Sequence, residues 1–212
     1  MMSIVGIGVL ALSLGTSAAD TAEPAVGRFD GQAELERLDD DPFVPSFRLI
    51  GELRFQQVGG PVWVTPSNTI LDGRAMPTLF VQLFGHPFEG QFLKTAISYE
   101  YAAQKKDRTH QEAQRMFYDA AVTERVAPGE AKVMYTVLSA SGSRWAMRGP
   151  NSCFRRCHTD AKELEWRPRV DHEKLVALLE WVRRENPTLD AVDQRASEAI
   201  LEEGPHIFGN LN

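Results

Sequence analysis

The hydrophobic pattern of the chain changes its period near residue 66, and this change constrains the fold more than any other feature. Before it, residues 47–56 alternate imperfectly between apolar and polar side chains, and residues 62–65 form a second short apolar run. The Val-Gly-Gly-Pro segment at residues 58–61 is typical of a turn, so the two runs are predicted to pair as a β-hairpin. After the change, apolar residues recur at helical spacing.

Helical spacing predicts three helices between residues 88 and 142 and two more near the C-terminus. The last two are bounded by turn residues and span Asp171–Glu185 and Leu189–Leu201. We therefore expect an α+β fold in which helix dominates. A short N-terminal β-hairpin or small antiparallel sheet packs on a helical bundle, and a helical extension follows at the C-terminus.

The net charge of −6 is concentrated ahead of these elements. Residues 20–45 hold eight acidic and two basic side chains, which account for the whole net charge. They are predicted to form an acidic flexible tether with a short helix around Ala33–Leu38. The remainder is balanced in charge, which argues against nucleic acid as a partner because nucleic-acid binding needs a basic face.

Residues 1–19 have the pattern of a secretory signal peptide. Ile4–Leu14 is an apolar core, and the small residues Ser-Ala-Ala at 17–19 precede Asp20, the expected first residue of the mature chain. No Lys or Arg precedes the core, so an uncleaved segment is the alternative. We expect a periplasmic or secreted protein that contacts membrane only through this segment if it is uncleaved.

Five short motifs follow one another between residues 63 and 117. They are WVTP at 63–66, LDGRAMP at 71–77, LFGHPF at 83–88, FLKTAI at 92–97 and EAQRMF at 112–117. In this order and spacing the chain resembles a phage and bacterial family, the domain of unknown function 1353, over about residues 48–146. We therefore expect one α+β domain over residues 46–148, and residues 149–212 as the C-terminal helical extension.

The resemblance also implies a polar site. The family pattern has Asp-Gly before a proline, His-Asp on a first helix and Ala-Asp on a second, groups that can bind a metal or move protons. Here Asp72 and Gly73 match, Tyr99 and Glu100 stand at the His-Asp pair, and Gln114 replaces the second Asp. The resemblance thus implies a degenerate site, with Asp72 and Glu100 as candidate catalytic residues and Tyr99, Gln114 and Gly73 as candidate binding residues.

Both carboxylates also have a structural interpretation. Asp72 before Gly73 is typical of a turn in which the aspartate bonds its own backbone and the glycine supplies positive φ. Glu100 is equally compatible with a solvated or salt-bridged position on a helix. Tyr99, Glu100 and Tyr101 are consecutive, so at most two of them line one site.

The two cysteines lie in one motif, Cys153-Phe-Arg-Arg-Cys157, which His158 follows. A disulfide is the expected state in an exported chain. Covalent haem c is an alternative, with His158 as an iron ligand and Met147 or His172 as the second, although the haem signature has one residue fewer between the cysteines. Zinc on Cys153, Cys157, His158 and His172 is a third possibility, and free thiols are a fourth.

Arginines surround this motif. A solvated set balanced by nearby glutamates is the simpler interpretation, and an anionic ligand or the acidic tether is the alternative partner. The set comprises Arg144, Arg148, Arg155, Arg156, Arg167 and Arg169.

Three functions are compatible with these features. The preferred one is an exported accessory or binding protein without a cofactor, whose partner is an unknown protein or a cell-envelope component. The second is a cell-envelope hydrolase that uses Asp72 and Glu100. The third is a small c-type haem protein built on Cys153, Cys157 and His158, so the sequence leaves enzymatic activity open.

Overall fold

The computed structural model describes residues 27–38, 45–145 and 165–202, which contain four small antiparallel sheets and six helices. The strands are β1 (Arg28–Asp30), β2 (Leu35–Leu38), β3 (Ser46–Leu49), β4 (Leu53–Gln56), β5 (Val62–Thr65), β6 (Ile70–Leu71), β7 (Arg144–Trp145), β8 (Glu165–Trp166), β9 (Arg169–Val170) and β10 (Ile200–Glu202). The helices are α1 (Thr78–Phe84), α2 (Leu93–Lys105), α3 (His110–Thr123), α4 (Pro128–Ser141), α5 (His172–Glu185) and α6 (Leu189–Glu198). The predicted α+β class with dominant helix is confirmed.

The predicted hairpin is present as β4 and β5, which pair antiparallel with Phe55 opposite Trp63. The run over residues 47–56 is not one strand, however, because it divides at Gly51 into β3 and β4, which belong to different sheets. In β4 the buried positions alternate with exposed ones, and Leu53 and Phe55 face the core. This division lets one short segment of chain serve two sheets.

Residues 27–38 correct the prediction of a flexible tether with a short helix. They form β1 and β2, which pair antiparallel with β4 and β3. The edges of β3 and β4 supply backbone hydrogen-bond partners, and Phe29 packs on Phe55 with ring centroids 4.8 Å apart. A few apolar contacts and an available strand edge therefore order an otherwise acidic segment.

Helices α2, α3 and α4 form the centre of the molecule. The start of α3 carries a complete capping box, in which the Thr109 hydroxyl accepts from the Glu112 N–H and the Glu112 carboxylate accepts from the Thr109 N–H. Pro128 occupies the first position of α4. Helix α2 packs against α3 on one side and against the β4–β5 hairpin on another, so most of its side chains are buried.

Two helices differ from the sequence prediction. Helix α1 was not indicated by the apolar spacing, and α2 begins at Leu93 rather than near Phe88. The last helix ends at Glu198 instead of Leu201, because residues 200–202 form β10 and pair with β9.

The described part of the C-terminal extension joins the same core as the preceding residues. Helices α5 and α6 both pack on α4, and Leu175, Leu178 and Val182 of α5 are buried in the common cluster. A polar contact adds to this packing, because the Asp193 carboxylate of α6 accepts hydrogen bonds from α3 and α4. None of the helices in the described ranges has both the length and the hydropathy needed to cross a membrane.

Candidate functional site

The loop that follows β6, residues 72–77, carries the first candidate residues and is called the site loop below. The Asp72 Oδ1 atom accepts from the Arg74 N–H at 3.1 Å, and Oδ2 lies 3.1 Å from the Arg74 Nε. Gly73 has φ of +74°, a conformation that favours glycine. The turn expected at Asp72 and Gly73 is therefore confirmed, and it leaves the Asp72 side chain 28% exposed.

Glu100 reaches the site loop from α2. Its Oε2 atom accepts from the backbone N–H of Ala75 at 3.0 Å, and its carboxyl group also contacts the Asp72 carboxyl group and the Gln104 side chain. Only 2% of Glu100 is exposed. The interpretation of Glu100 as a solvated helix residue is therefore wrong, and the structure brings the two candidate carboxyl groups together.

The environment of Glu100 favours its neutral form. Burial and, to a lesser degree, the neighbouring Asp72 carboxyl group raise the pKa of Glu100, against the opposing effect of the Ala75 N–H, to about 8. At neutral pH Glu100 therefore holds a proton that it can donate to Asp72. A carboxylic acid next to a carboxylate can move a proton, and it can equally hold a loop in place.

Gln104 lies one turn beyond Glu100 on the same face of α2. Its Nε2 atom donates to the backbone carbonyl of Ile70 at 2.9 Å. Glu100 and Gln104 thus bond the backbone on both sides of Asp72. Helix α2 fixes the position of Asp72 through the backbone of the chain around it.

Tyr99 and Gln114 lie together, away from the surface of the site loop. Tyr99 is fully buried and packs edge-on against Phe117, with ring centroids 5.6 Å apart. Burial raises the pKa of Tyr99 well above its ordinary value, which keeps the phenol neutral, and the adjacent Gln114 amide opposes this only in part. The Gln114 Nε2 atom donates to the carbonyl of Leu138 at 3.0 Å, so Gln114 also joins α3 to α4.

Arg167 is a residue of this region that the sequence did not single out. Its Nε atom donates to the Ser143 hydroxyl at 3.1 Å, and its Nη2 atom donates to the backbone carbonyl of Arg74. Arg167 therefore connects the segment between α4 and β7 with the site loop while remaining exposed. Its only signal in the sequence was membership of the arginine-rich stretch.

The cysteine motif, with Cys153, Cys157 and His158, lies outside the described residues. His172 is the first residue of α5 and is exposed. Within the ranges that the structure describes, no group of three or more His, Cys, Asp or Glu side chains is arranged to hold a metal ion.

Sequence comparison connects this region with known proteins. The "Uncharacterized protein y4jT" of Sinorhizobium fredii is 32% identical over 136 residues, which are 64% of this chain and 40% of that protein. The "Uncharacterized protein y4iH" of the same organism is 25% identical over 152 residues, or 70% of this chain and 62% of that protein. The chain thus spans less than two thirds of either relative. No solved structure matches it.

A family model matches the central part of the chain. Residues 47–138 match the family described as "Protein of unknown function (DUF1353)", and this range contains Asp72, Tyr99, Glu100 and Gln114. The resemblance indicated by the sequence motifs is therefore confirmed over residues 47–138.

Proposed function

We propose that the protein is an exported binding or accessory protein that recognises its partner with the site loop. One observation carries this proposal: the Glu100 carboxyl group bonds the backbone of the site loop and is 2% exposed. A group in that position is a poor reactant, because a substrate would have to displace Ala75 to reach it. Glu100 is better suited to hold the loop in one conformation for recognition.

The exposed part of the site has the composition of a recognition surface. Arg74 and Arg167 are exposed and Asp72 is half-buried, so charged groups of both signs lie next to one another. Charges at the edge of an interface contribute to partner selection and to association rate. The partner proposed for this surface is a protein or another component of the cell envelope.

The test compares capture by the full chain and by two charge-reversal variants. Wild-type protein, Arg74→Glu and the control Arg54→Glu are immobilised and exposed to a solubilised envelope fraction. Arg54 is a suitable control because it is exposed on β4 and, among the described residues, its side chain bonds only Glu52. One defined component should bind wild type and Arg54→Glu and be lost with Arg74→Glu. Equal capture by all three would reject the site loop as the recognition surface.

A second function is favoured by the contact between Asp72 and Glu100. Two adjacent carboxyl groups, one of which has a raised pKa, are an arrangement that hydrolases use for acid–base catalysis. On this proposal the protein cleaves cell-envelope material: Asp72 takes a proton from the attacking water, and Glu100 gives its proton to the leaving group of the bond that breaks. If wild type hydrolyses envelope polymers and folded Asp72→Asn does not, the hydrolase proposal would replace the binding proposal. Unchanged hydrolysis in Asp72→Asn would instead remove Asp72 from the reaction.

Export is part of the same proposal and has its own test. The pattern of residues 1–19 supports cleavage before Asp20, and an exported chain supports a disulfide between Cys153 and Cys157. Intact mass of protein recovered from the periplasm, with and without reductant, should show loss of residues 1–19 and a two-hydrogen deficit that reductant restores. A full-length mass with free thiols would contradict export, and a haem absorbance band or a bound zinc ion would identify the alternatives.

A further inference from the structure

A cavity of about 220 Å³ lies between β5 and the C-terminal half of α2. The α2 residues that line it include Ser98, Tyr101 and Lys105, whereas Glu100 bonds the site loop and Gln104 bonds the backbone of β6. The cavity is therefore separate from the site described above. We propose that it binds a small polyhydroxylated anion, of the chemical class of an acidic monosaccharide.

An unpartnered hydroxyl group in the wall of the cavity is the first argument. Ser98 is 3% exposed, and its Oγ atom has no hydrogen-bond partner within the described residues. A buried hydroxyl without a partner is unfavourable, because it has lost its bonds to water and gained none in return. A ligand hydroxyl in the cavity would supply the missing partner. The half-buried Tyr101 lines the same wall.

The charges around the cavity are the second argument. Lys105 and Arg108 contribute two positive charges against one negative charge from Asp107. Within the described ranges of the chain, the side chains of these three residues form no salt bridge. The Arg108 guanidinium lies over the Trp63 ring, 4.9 Å from its centroid, which orients the guanidinium at the cavity. A carboxylate on the ligand would find complementary charge there.

The turn that carries these charges is held in a defined shape. Lys106 ends α2 in the left-handed conformation with φ of +54°, which is uncommon for a residue with a side chain. Its Nζ atom lies 2.5 Å from the Glu165 carboxylate, and the Arg108 carbonyl accepts from the Trp145 indole N–H at 2.7 Å. The cavity is therefore preformed, which lowers the entropic cost of binding.

The size of the cavity limits the ligand to a single ring. Pockets for drug-sized molecules are typically about 300–1,000 Å³, and this one is smaller. Hydroxyl groups on the ligand match Ser98 and Tyr101, and an acidic group matches Lys105 and Arg108. D-glucuronate combines both features and is a suitable probe.

The experiment measures binding of D-glucuronate to the full chain by titration calorimetry. We expect saturable binding with a Kd of about 1 mM or tighter. D-glucose lacks the carboxylate and acetate lacks the hydroxyl groups, so each should bind at least about tenfold more weakly. Absence of saturable glucuronate binding at about a hundredfold higher concentration would overturn the proposal, as would acetate or glucose binding as tightly as glucuronate.

Three variants locate the binding. Ser98→Ala and Lys105→Gln should each weaken glucuronate binding about tenfold. Arg184→Gln should leave it unchanged, because Arg184 is an exposed cation on α5 whose side chain, within the part of the chain that the structure describes, bonds only Glu185. Equal affinity in Ser98→Ala and wild type would refute this cavity as the site. The outcome is independent of the proposed function, because Asp72→Asn should bind glucuronate as wild type does.

Discussion

Two faces of helix α2 differ in whether their polar side chains are hydrogen-bonded to the rest of the chain. On one face, Glu100 and Gln104 bond the backbone around Asp72. On the other face, Ser98 lines a cavity with its hydroxyl unpaired within the described residues. The comparison shows that polar residues of one helix can hold the backbone in place on one side and remain available to a ligand on the other.

The largest effect expected from this comparison is that of Glu100→Ala. The substitution leaves the buried Ala75 N–H without its acceptor and opens a cavity beneath the site loop. We expect the free energy of unfolding to fall by about 3 kcal/mol, measured by urea denaturation. Glu100→Gln keeps an acceptor oxygen and is the matched control, with a smaller loss at neutral pH. An unchanged midpoint in Glu100→Ala would show that the loop does not depend on α2.

The next effect is the pH dependence of stability. Because burial raises the pKa of Glu100 from 4.5 to about 8, the folded state binds more protons than the unfolded state between these values. Glu100 should therefore make stability fall as pH rises through this window, by up to about 1.4 kcal/mol per pH unit. Glu100→Gln removes this dependence. Parallel stability profiles for wild type and Glu100→Gln from pH 4.5 to 8 would contradict the assignment.

A smaller effect is expected for Gln104→Ala. This side chain is exposed, but the substitution removes its bond to the Ile70 carbonyl and its contact with Glu100. We expect a loss of about 1 kcal/mol in thermal or urea unfolding. Gln111→Ala is the control, because Gln111 is also exposed on a helix and forms no side-chain hydrogen bond within the described residues. Equal losses of unfolding free energy in both variants would show that the Gln104 side-chain bond contributes nothing and that the change reflects helix propensity.

The smallest effect on stability is expected for a substitution on the side of α2 that lines the cavity, and it should be a gain and not a loss. Ser98→Ala removes a buried hydroxyl that has no partner and adds a residue of higher helix propensity. In the absence of ligand, stability should stay the same or rise by up to about 1 kcal/mol. A loss greater than about 1 kcal/mol would show that the Ser98 hydroxyl is bonded, and the contrast between the two faces would disappear.

Local signals predicted the local structure. The Asp72-Gly73 pair indicated its turn, because that turn depends only on residues close in sequence. Strands β1 and β2 were missed for the opposite reason: acidic and polar residues become strands only when edges elsewhere in the chain accept them.

The candidate site required contacts that sequence spacing does not encode. The resemblance to the family indicated Asp72 and Glu100, but the burial of Glu100 depends on how the site loop folds over α2. Arg167 bonds the carbonyl of a residue 93 positions earlier. The roles of Asp72, Gly73, Tyr99, Glu100 and Gln114 in binding or catalysis stay predictions.

The contact between α4 and α6 shows that the segment matched by the family model does not fold separately from the residues that follow it. The family match stops at residue 138, inside α4, while the same helix donates Tyr135 Oη–H to the Asp193 carboxylate of α6 at 2.5 Å. The end of the family match is therefore not a boundary of folding. In a protein that carries the family segment without α5 and α6, the side of α4 that they cover here would be exposed to solvent. Such a protein must cover that side with another element, and α5 and α6 are one way to do so.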